Sequence, residues 1–221
     1  MTGKHGAHNR AMASTKNSSL HGSAPDTARD ALLILDMISE FEFEDGPRMR
    51  KRALPVANRI ARLRDRATAA HVPVIYVNDN YGRWRSDFKS QFAASVRDGS
   101  RGAAIAHILR PRAIDYFVLK PKHSGFYATP LATLLEYLGV RRLILTGISS
   151  HQCVLFTAND AYVRDFTLVV PPDCIAAENS TMEKLANQYF RSVLGAKLTQ
   201  STRVRFSPAF ASAMSEKRGR R

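Results

Sequence analysis

The sequence predicts an α/β fold of three layers. A mostly parallel sheet of about six strands is expected between two layers of helices, in a Rossmann-like αβα arrangement. Short, uniformly apolar runs alternate along the chain with longer segments in which apolar residues recur every three or four positions. Such apolar runs are typical of parallel strands that are covered on both faces. Their alternation with helices gives right-handed crossovers, which place helices on both sides of one sheet.

Each predicted strand is a short apolar run bounded by polar residues, glycine or proline. Five strands are predicted at residues 31–35, 74–77, 116–119, 143–145 and 167–170, and a last strand is expected within 197–204. The carboxyl ends of parallel strands lie at one edge of the sheet, which is where open α/β sheets bind their ligands.

Four helices are predicted from apolar residues that repeat at helical spacing and form one buried face. These faces are expected to carry Val56, Ile60, Leu63 and Ala67; Leu131, Leu134, Leu135 and Leu138; Val154, Thr157, Ala158 and Ala161; and Met182, Leu185, Tyr189 and Val193. A short helix is expected at 103–109. Residues 81–101 are predicted to be a long polar connection, and connections of that length often act as lids.

The length and composition indicate one domain with unstructured ends. The chain has 221 residues, enough for one full core, and the domain is predicted at 30–205. Residues 1–29 lack apolar periodicity and are predicted to be a disordered arm, and 206–221 a basic tail. No apolar run is long enough to span a bilayer and no signal peptide is recognisable, so we expect a cytoplasmic protein without a membrane partner.

The net charge of +14, from 33 Lys and Arg against 19 Asp and Glu, raises a nucleic-acid hypothesis. Much of the excess lies outside the patterned core, as in the basic run 217–221, and no zinc-finger spacing or RNA-binding motif is present. We therefore expect no specific nucleic-acid partner. The two cysteines, Cys153 and Cys174, do not make a disulfide framework.

Three reactive groups follow three of the predicted strands, namely Asp36, Lys120 and Cys153. Because these strand ends share one edge of the sheet, a carboxylate, an ammonium and a thiol can meet there. Cys153 also falls in the first turn of a predicted helix, where Ser149 or Ser150 is the expected N-cap, and both the helix end and a nearby cation lower a thiol's pKa. The competing interpretations are a buried structural cysteine and charged residues that are simply solvated.

Several motifs then occur in a fixed order. They are Leu-Ile-Leu-Asp-Met at 33–37, Lys-Pro-Lys-His-Ser-Gly-Phe at 120–126 with Thr129 and Leu131, Thr-Gly-Ile-Ser-Ser-His-Gln-Cys-Val at 146–154, then Thr157, Asp160-Ala161 and Asp173. With these motifs, residues 30–205 resemble the isochorismatase-like cysteine hydrolases, a family that includes nicotinamidases, N-carbamoylsarcosine amidohydrolases and ureide amidases. The resemblance implies the isochorismatase-like version of the predicted fold.

The resemblance implies a catalytic triad of Asp36, Lys120 and Cys153. Lys122 is the rival lysine, but the family's spacing before the Ser-Gly-Phe serine selects Lys120. The family also has a non-proline cis peptide, here Ile148–Ser149, which aims the N–H groups of Ser149 and Cys153 at one point as an oxyanion hole. The implied reaction is hydrolysis of a C–N bond in a small amide, ureide or carbamoyl compound through a thioester on Cys153.

Nicotinamidases in the family follow the second strand with an Asp and two His that bind a metal, whereas residues 77–88 of this chain contain no His. Asp79 and Asp87 alone would make only a weak site for a divalent metal. We therefore expect no metal, no cofactor and no nicotinamidase activity. Pocket residues are expected to include Phe41, Trp84, Phe126 and His151. Cys174 is taken as structural.

The connection at 81–101 is expected to fold over the site as a lid, and its Arg83, Arg85 and Lys89 are expected to favour anionic substrates. The alternative is that these charges form a solvated face. A small molecule is the expected partner, and a homo-oligomer, dimer or tetramer, is the expected assembly. The alternatives to an amidohydrolase are a vinyl-ether hydrolase of the isochorismatase type and a non-catalytic binding protein.

Overall fold

The computed structural model describes residues 28–207 and contains the predicted sheet. Its strands are β1 (Asp30–Leu35), β2 (Val74–Asp79), β3 (Tyr116–Lys120), β4 (Arg142–Ile148), β5 (Thr167–Val169) and β6 (Ile175–Ala176). Neighbours run in the order β3-β2-β1-β4-β5, with β6 also paired to β4, and all pairs are parallel. The predicted α/β fold is thus confirmed.

Helices cover both faces of the sheet. They are α1 (Gly46–Ala69), α2 (Phe88–Val96), α3 (Ala103–Ile108), α4 (Leu131–Tyr137), α5 (Leu155–Tyr162) and α6 (Ser180–Ser192). Alternate residues of β1 point into two separate cores: Leu32 packs with Ile60 of α1, and Leu33 packs with Leu135 of α4. Each of these side chains is fully buried, and burial of one such side chain stabilises the fold by roughly 1.5–3 kcal/mol.

Two predictions near the C-terminal end of the domain are wrong. The expected strand within 197–204 is reduced to a single bridge between Lys197 and Val169, followed by a 3-10 turn at Ser201–Arg203, and the sixth strand is β6 instead. In α6 the buried residues are Ala186 and Phe190, whereas Leu185 is 53% exposed. The apolar pattern of α6 runs round more than one side of the helix, so the pattern alone does not select the buried side.

The connection at 81–101 is also more ordered than predicted, because it contains α2. Phe88 at the start of α2 stacks on Phe117 of β3, with ring centroids 4.3 Å apart, and the side chain of Asp87 caps the helix by accepting from the Ser90 N–H. The second half of the connection is therefore packed against the edge of the sheet. Gln91 of α2 also reaches the carboxyl end of β2, where its side-chain amide donates to the backbone carbonyl of Asp79 at 2.6 Å.

The predicted arm and tail fall almost wholly outside the described residues, which begin at residue 28 and end at residue 207. At the inner boundaries, Ala28 donates a backbone hydrogen bond to Leu138, and Ser207 donates one to the Asp30 carboxylate. No helix within the described part of the chain combines the length and apolar character needed to cross a bilayer.

Candidate active site

The sheet brings together the three reactive groups predicted from the strand ends. Lys120 closes β3 and Asp36 follows β1, and the Nζ of Lys120 lies 2.9 Å from Oδ2 of Asp36. Cys153 comes from the turn after β4, and its Sγ lies 3.5 Å from the same Nζ. The Cys153 thiol is also hydrogen-bonded to the Asp36 carboxylate. A carboxylate, an ammonium and a thiol are thus in mutual contact at one edge of the sheet.

The backbone of β1 fixes the carboxylate of Asp36. The residue adopts a left-handed conformation with φ of 53°, and its N–H donates to the carbonyl of Val77 at 3.0 Å. Opposite it, Gly147 has φ of 112°, and a Cβ there would stand 2.0 Å from the carbonyl oxygen of Leu35. Only glycine allows β1 and β4 to approach so closely. Gly147, which lies within β4 and pairs with Leu35, therefore sets the distance between Asp36 and the cysteine turn.

The turn that carries Cys153 is a π-helical turn at Ser150–Val154, which leads into α5. The peptide bond between Ile148 and Ser149 is cis. Ser149 occupies the cap position, as expected, but its side chain does not cap the turn and instead lies 2.9 Å from Nδ1 of His151. The backbone carbonyl of Ser149 accepts from the N–H of Val154 at 3.1 Å.

The motif residues after Lys120 hold its loop against α5. The N–H of Gly125 donates to Oγ1 of Thr157 at 2.9 Å, and the hydroxyl of Ser124 donates to the carboxylate of Asp160. A Cβ at Gly125 would lie only 2.9 Å from the side chain of Val77. These motif residues therefore position the loop and do not face the thiol.

Asp79, at the end of β2, is a fourth member of the cluster that sequence reasoning treated only as a weak metal ligand. It lies opposite Lys120 in the register of β2 and β3, and its Oδ2 is 3.3 Å from Nζ of Lys120. Its backbone N–H donates to Oδ1 of Asp36 at 2.6 Å. The buried ammonium is therefore held between two carboxylates.

Burial and charge shift the pKa values of this cluster. Burial raises the pKa of Asp36, against the opposing effect of the Lys120 ammonium. Burial disfavours the ammonium of Lys120, but the carboxylate of Asp36, which contacts it, and the further negative charge of Asp79 outweigh this effect, so the pKa of Lys120 is raised. The cationic form of Lys120 is thus maintained.

The predicted lowering of the Cys153 pKa is wrong. Burial raises the pKa of the Cys153 thiol, the adjacent charge of Asp36 raises it further, and Lys120 only partly opposes both. In the resting protein Cys153 is therefore a thiol. Its activation depends on transfer of its proton to the carboxylate in contact with it.

A cavity of about 410 Å³ opens above the thiol, a size suited to a small molecule. Asp36, Ser149 and Cys153 line its floor, and Phe43, Met49 and Ile148 supply an apolar wall. A larger surface hollow of about 650 Å³ lies between α1 and α6, beside Arg52 and Glu183, and contains none of the three reactive groups. The chemistry therefore belongs to the smaller cavity.

The four residues predicted to bind substrate do not line this cavity. Phe41 is fully buried beneath Phe43, and Phe126 is buried in the core under α5 with Arg164 over its ring. Trp84 is 76% exposed on a separate surface hollow. His151 lies behind the cavity, with its Nε2 3.5 Å from the carboxylate of Glu178.

Sequence reasoning missed the polar residues that do line the cavity, among them Tyr81, His123, Gln152 and Glu178. His123 and Gln152 could have been identified from the sequence, because they lie inside the motifs around Lys120 and Cys153. Nδ1 of His123 stands 3.8 Å from Sγ of Cys153. Glu178 lies after β6, a strand that the sequence did not predict, and so no local pattern pointed to it.

No group of three or more His, Cys, Asp or Glu that could hold a metal ion occurs within residues 28–207. Asp79 and Asp87, the two acids considered as ligands, have other roles there. Asp79 pairs with Lys120, and Asp87 caps α2.

Comparison with known proteins agrees with the fold. A model of the isochorismatase domain matches residues 30–202. The uncharacterized isochorismatase family protein YaaI of Bacillus subtilis is 41% identical over 177 residues, which make up 80% of this chain and 97% of that protein. A crystal structure of N-carbamoylsarcosine amidase from Thermoplasma acidophilum is 28% identical and has a TM-score of 0.62, covering 80% of this chain and 98% of that one.

A more distant relative has a named activity. The ureidoacrylate amidohydrolase RutB of Methylorubrum extorquens is 31% identical over 142 residues, which are 54% of this chain and 56% of that protein. The match thus spans only about half of that relative. The domain match over residues 30–202 and the near full-length similarity to YaaI show that the chain belongs to the isochorismatase family.

Proposed function

We propose that this protein is a cysteine amidohydrolase that cleaves a C–N bond of a small amide, ureide or carbamoyl compound. The observation that carries the proposal is the contact of one thiol with both a carboxylate and an ammonium at the floor of a small cavity. The names of two relatives, an amidase and an amidohydrolase, support the same reaction class.

In the first half of the reaction, Cys153 forms a thioester. Asp36 accepts the thiol proton as Sγ attacks the carbonyl carbon of the substrate, so no free thiolate has to form beforehand. The carbonyl oxygen becomes an oxyanion, which the N–H groups of Ser149 and Cys153 would stabilise. As the tetrahedral species collapses, the C–N bond breaks and Asp36 returns the proton to the departing nitrogen.

In the second half, water hydrolyses the thioester. Asp36 accepts a proton from water as the water oxygen attacks the carbonyl carbon, the C–S bond breaks, and Sγ takes the proton back from Asp36. The products are a carboxylic or carbamic acid and ammonia or an amine, with the thiol restored. Throughout, Lys120 keeps a positive charge beside the sulfur and the carboxylate.

The experiment that tests this function is a screen for ammonia release from small amides and ureides. The wild-type protein should release ammonia from at least one compound, and Cys153→Ala should release none from it. Cys174→Ala is the matched control, because Cys174 is fully buried in the core and contacts neither Asp36 nor Lys120. Ammonia release that survives Cys153→Ala would exclude the thioester and favour a cysteine-independent hydrolysis.

We also infer that the reaction needs no metal, which the screen can test separately. Activity should persist after exhaustive dialysis against a chelator. Loss of activity that zinc or manganese restores would overturn this inference and leave the role of Cys153 to be decided by its own variant.

We also propose that the protein assembles as a homo-oligomer. Its support is the apolar surface of α6 and the turn after α5, where Leu185, Val193 and Val163 are each more than half exposed. Sedimentation velocity of the wild type should show a species larger than one chain, and a concentration-independent monomer would contradict it.

A further inference from the structure

The wall of the catalytic cavity is acidic. Glu44, Asp45 and Glu178 line it together with Asp36 and Asp79, whereas no Lys or Arg among residues 28–207 lines it. At the floor, the two carboxylates of Asp36 and Asp79 face the single ammonium of Lys120. These three side chains together therefore carry no excess of positive charge. A ligand in this cavity therefore meets more negative than positive charge.

The acids of the wall are only weakly neutralised by their neighbours. Asp45 has Arg48 at 3.6 Å, but the Arg48 side chain is 81% exposed, so water screens that pair. Glu178 has the imidazole of His151 at 3.5 Å, which carries charge only when protonated. Within the described residues Glu44 makes no ion pair, so no cation neutralises its carboxylate at the mouth of the cavity.

The basic residues expected to attract anions do not face this cavity. Arg83 pairs with Glu40 at 2.9 Å, and Arg97 holds the other oxygen of the same carboxylate at 2.8 Å. Arg83 and Arg85 line a separate hollow on the outer surface, beside Trp84. The prediction of a lid that selects anionic substrates is therefore not supported by the positions of its cations.

We propose that the site selects amides or ureides whose far end carries a positive charge, accepts neutral ones less well and rejects carboxylated ones. This inference rests on the proposed function for its choice of substrate, but the charge of the cavity can be measured without turnover. The apolar wall of Phe43, Met49 and Ile148 would contact the methylene stem, while the acids near the mouth would face the cation. Carboxylated compounds would meet like charge at the same position.

The direct test compares two thiol reagents of opposite charge on the Cys174→Ala protein. The cationic 2-aminoethyl methanethiosulfonate and the anionic 2-sulfonatoethyl methanethiosulfonate each form a disulfide with Cys153 and release methanesulfinate and a proton. Each rate is divided by the rate of the same reagent with 2-mercaptoethanol, which removes intrinsic reactivity. The normalised rate of the cation should exceed that of the anion by roughly tenfold or more at low salt, and the ratio should shrink as salt is added.

Variants that neutralise one acid at a time identify the residues that cause the preference for the cationic reagent. Glu44→Gln and Glu178→Gln should each lower the normalised ratio by about two- to fivefold, as expected for partly exposed charges. Glu42→Gln is the matched control, because Glu42 lies on the same loop but pairs with Arg101 at 3.2 Å and does not line the cavity. A normalised ratio of one or below, or equal effects of Glu42→Gln and Glu44→Gln, would overturn the proposal.

The substrate arm uses three amides with the same three-methylene stem. They are 4-aminobutanamide, pentanamide and glutaramic acid, which are cationic, neutral and anionic near neutral pH. The value of kcat/KM should fall in that order. Preference for glutaramic acid would overturn the charge selection while leaving the hydrolase intact. A preference of Cys153 for the cationic thiol reagent, with none of the amides hydrolysed, would support the charge selection and count against the proposed function.

Discussion

The two cysteines of this chain have similar raised pKa values but very different surroundings. Burial raises the pKa of Cys174 to about 12, and burial together with Asp36 raises that of Cys153. Cys174 is fully enclosed in the core beneath α1, whereas Cys153 is partly exposed and opens into the cavity. Neither residue is a thiolate at neutral pH.

What separates the two is therefore the presence of a proton acceptor, a fixed cation and access, and not the resting ionisation of sulfur. Cys153 contacts Asp36 and Lys120, which together can remove its proton and hold the charge that results. The carboxylate nearest Cys174 is that of Asp173, which is already engaged as an acceptor for the backbone and hydroxyl of Ser201. Each prediction below removes one of the features that distinguish Cys153.

The largest effect is expected from removal of the proton acceptor. Asp36→Asn keeps the shape of the side chain but cannot take the thiol proton, so kcat should fall by roughly 10²- to 10⁴-fold. Steady-state ammonia release at saturating substrate measures this. Circular dichroism with a thermal melt serves as the folding control, and a folded variant with near-normal kcat would show that another group takes the proton.

Removal of the Lys120 cation should lower kcat by about as much as removal of the proton acceptor, or by somewhat less. Lys120→Ala takes away the positive charge that opposes the raised pKa of Cys153, so kcat is expected to drop by about a hundredfold. Lys122→Ala is the control, because Lys122 is exposed and belongs to the same loop. A greater loss in Lys122→Ala than in Lys120→Ala would show that the lysine has been assigned wrongly.

A smaller effect is expected at Asp79, which positions Lys120 without contacting the sulfur. Asp79→Asn removes one of the two carboxylates that hold the ammonium, and kcat should fall by about tenfold with KM nearly unchanged. The pH profile distinguishes this from a general structural defect. Loss of the Asp79 charge should shift the acid limb of the profile, whereas mere destabilisation would leave the limb in place.

The pH dependence of the wild type should report the raised pKa of Asp36. Asp36 must be ionised to accept the proton, so kcat/KM falls as the pH drops through its pKa. Because burial raises that pKa above the ordinary 3.8, the loss should occur at a higher pH than for a solvated aspartate. An acid limb with its midpoint at or below the ordinary aspartate pKa would contradict a carboxylate that is buried and hydrogen-bonded to the thiol.

The strand ends were predictable because parallel strands place their carboxyl ends together whatever their order in the sheet. Asp36 and Lys120 each directly follow an apolar run, and Cys153 lies in the turn after a third run, which makes all three recognisable in the sequence. The partnership of Asp79 with Lys120 depends on the register of β2 against β3, which no local pattern reveals. The burial of Ala186 rather than Leu185 in α6 likewise depends on how closely the helix approaches its neighbours.

The charge of the cavity could not be predicted for the same reason. Glu44 and Glu178 are separated by more than half of the chain and meet only through the path of the loop after β1 and the turn after β6. Arg83 and Arg85 were expected to attract an anion because they belong to the connection at 81–101, which was predicted to fold over the site as a lid. In the fold Tyr81 faces the cavity and the arginines face away from it.

The most direct test of the account is to trap the acyl-enzyme. A substrate found in the ammonia screen is mixed with the protein, the reaction is quenched in acid within one turnover, and the peptides are analysed by mass spectrometry. The acyl mass should appear on the peptide that contains Cys153, be absent from the peptide that contains Cys174, and disappear in Cys153→Ala. An acyl group on another residue, or ammonia release by Cys153→Ala at the wild-type rate, would contradict the assignment of Cys153 as the nucleophile.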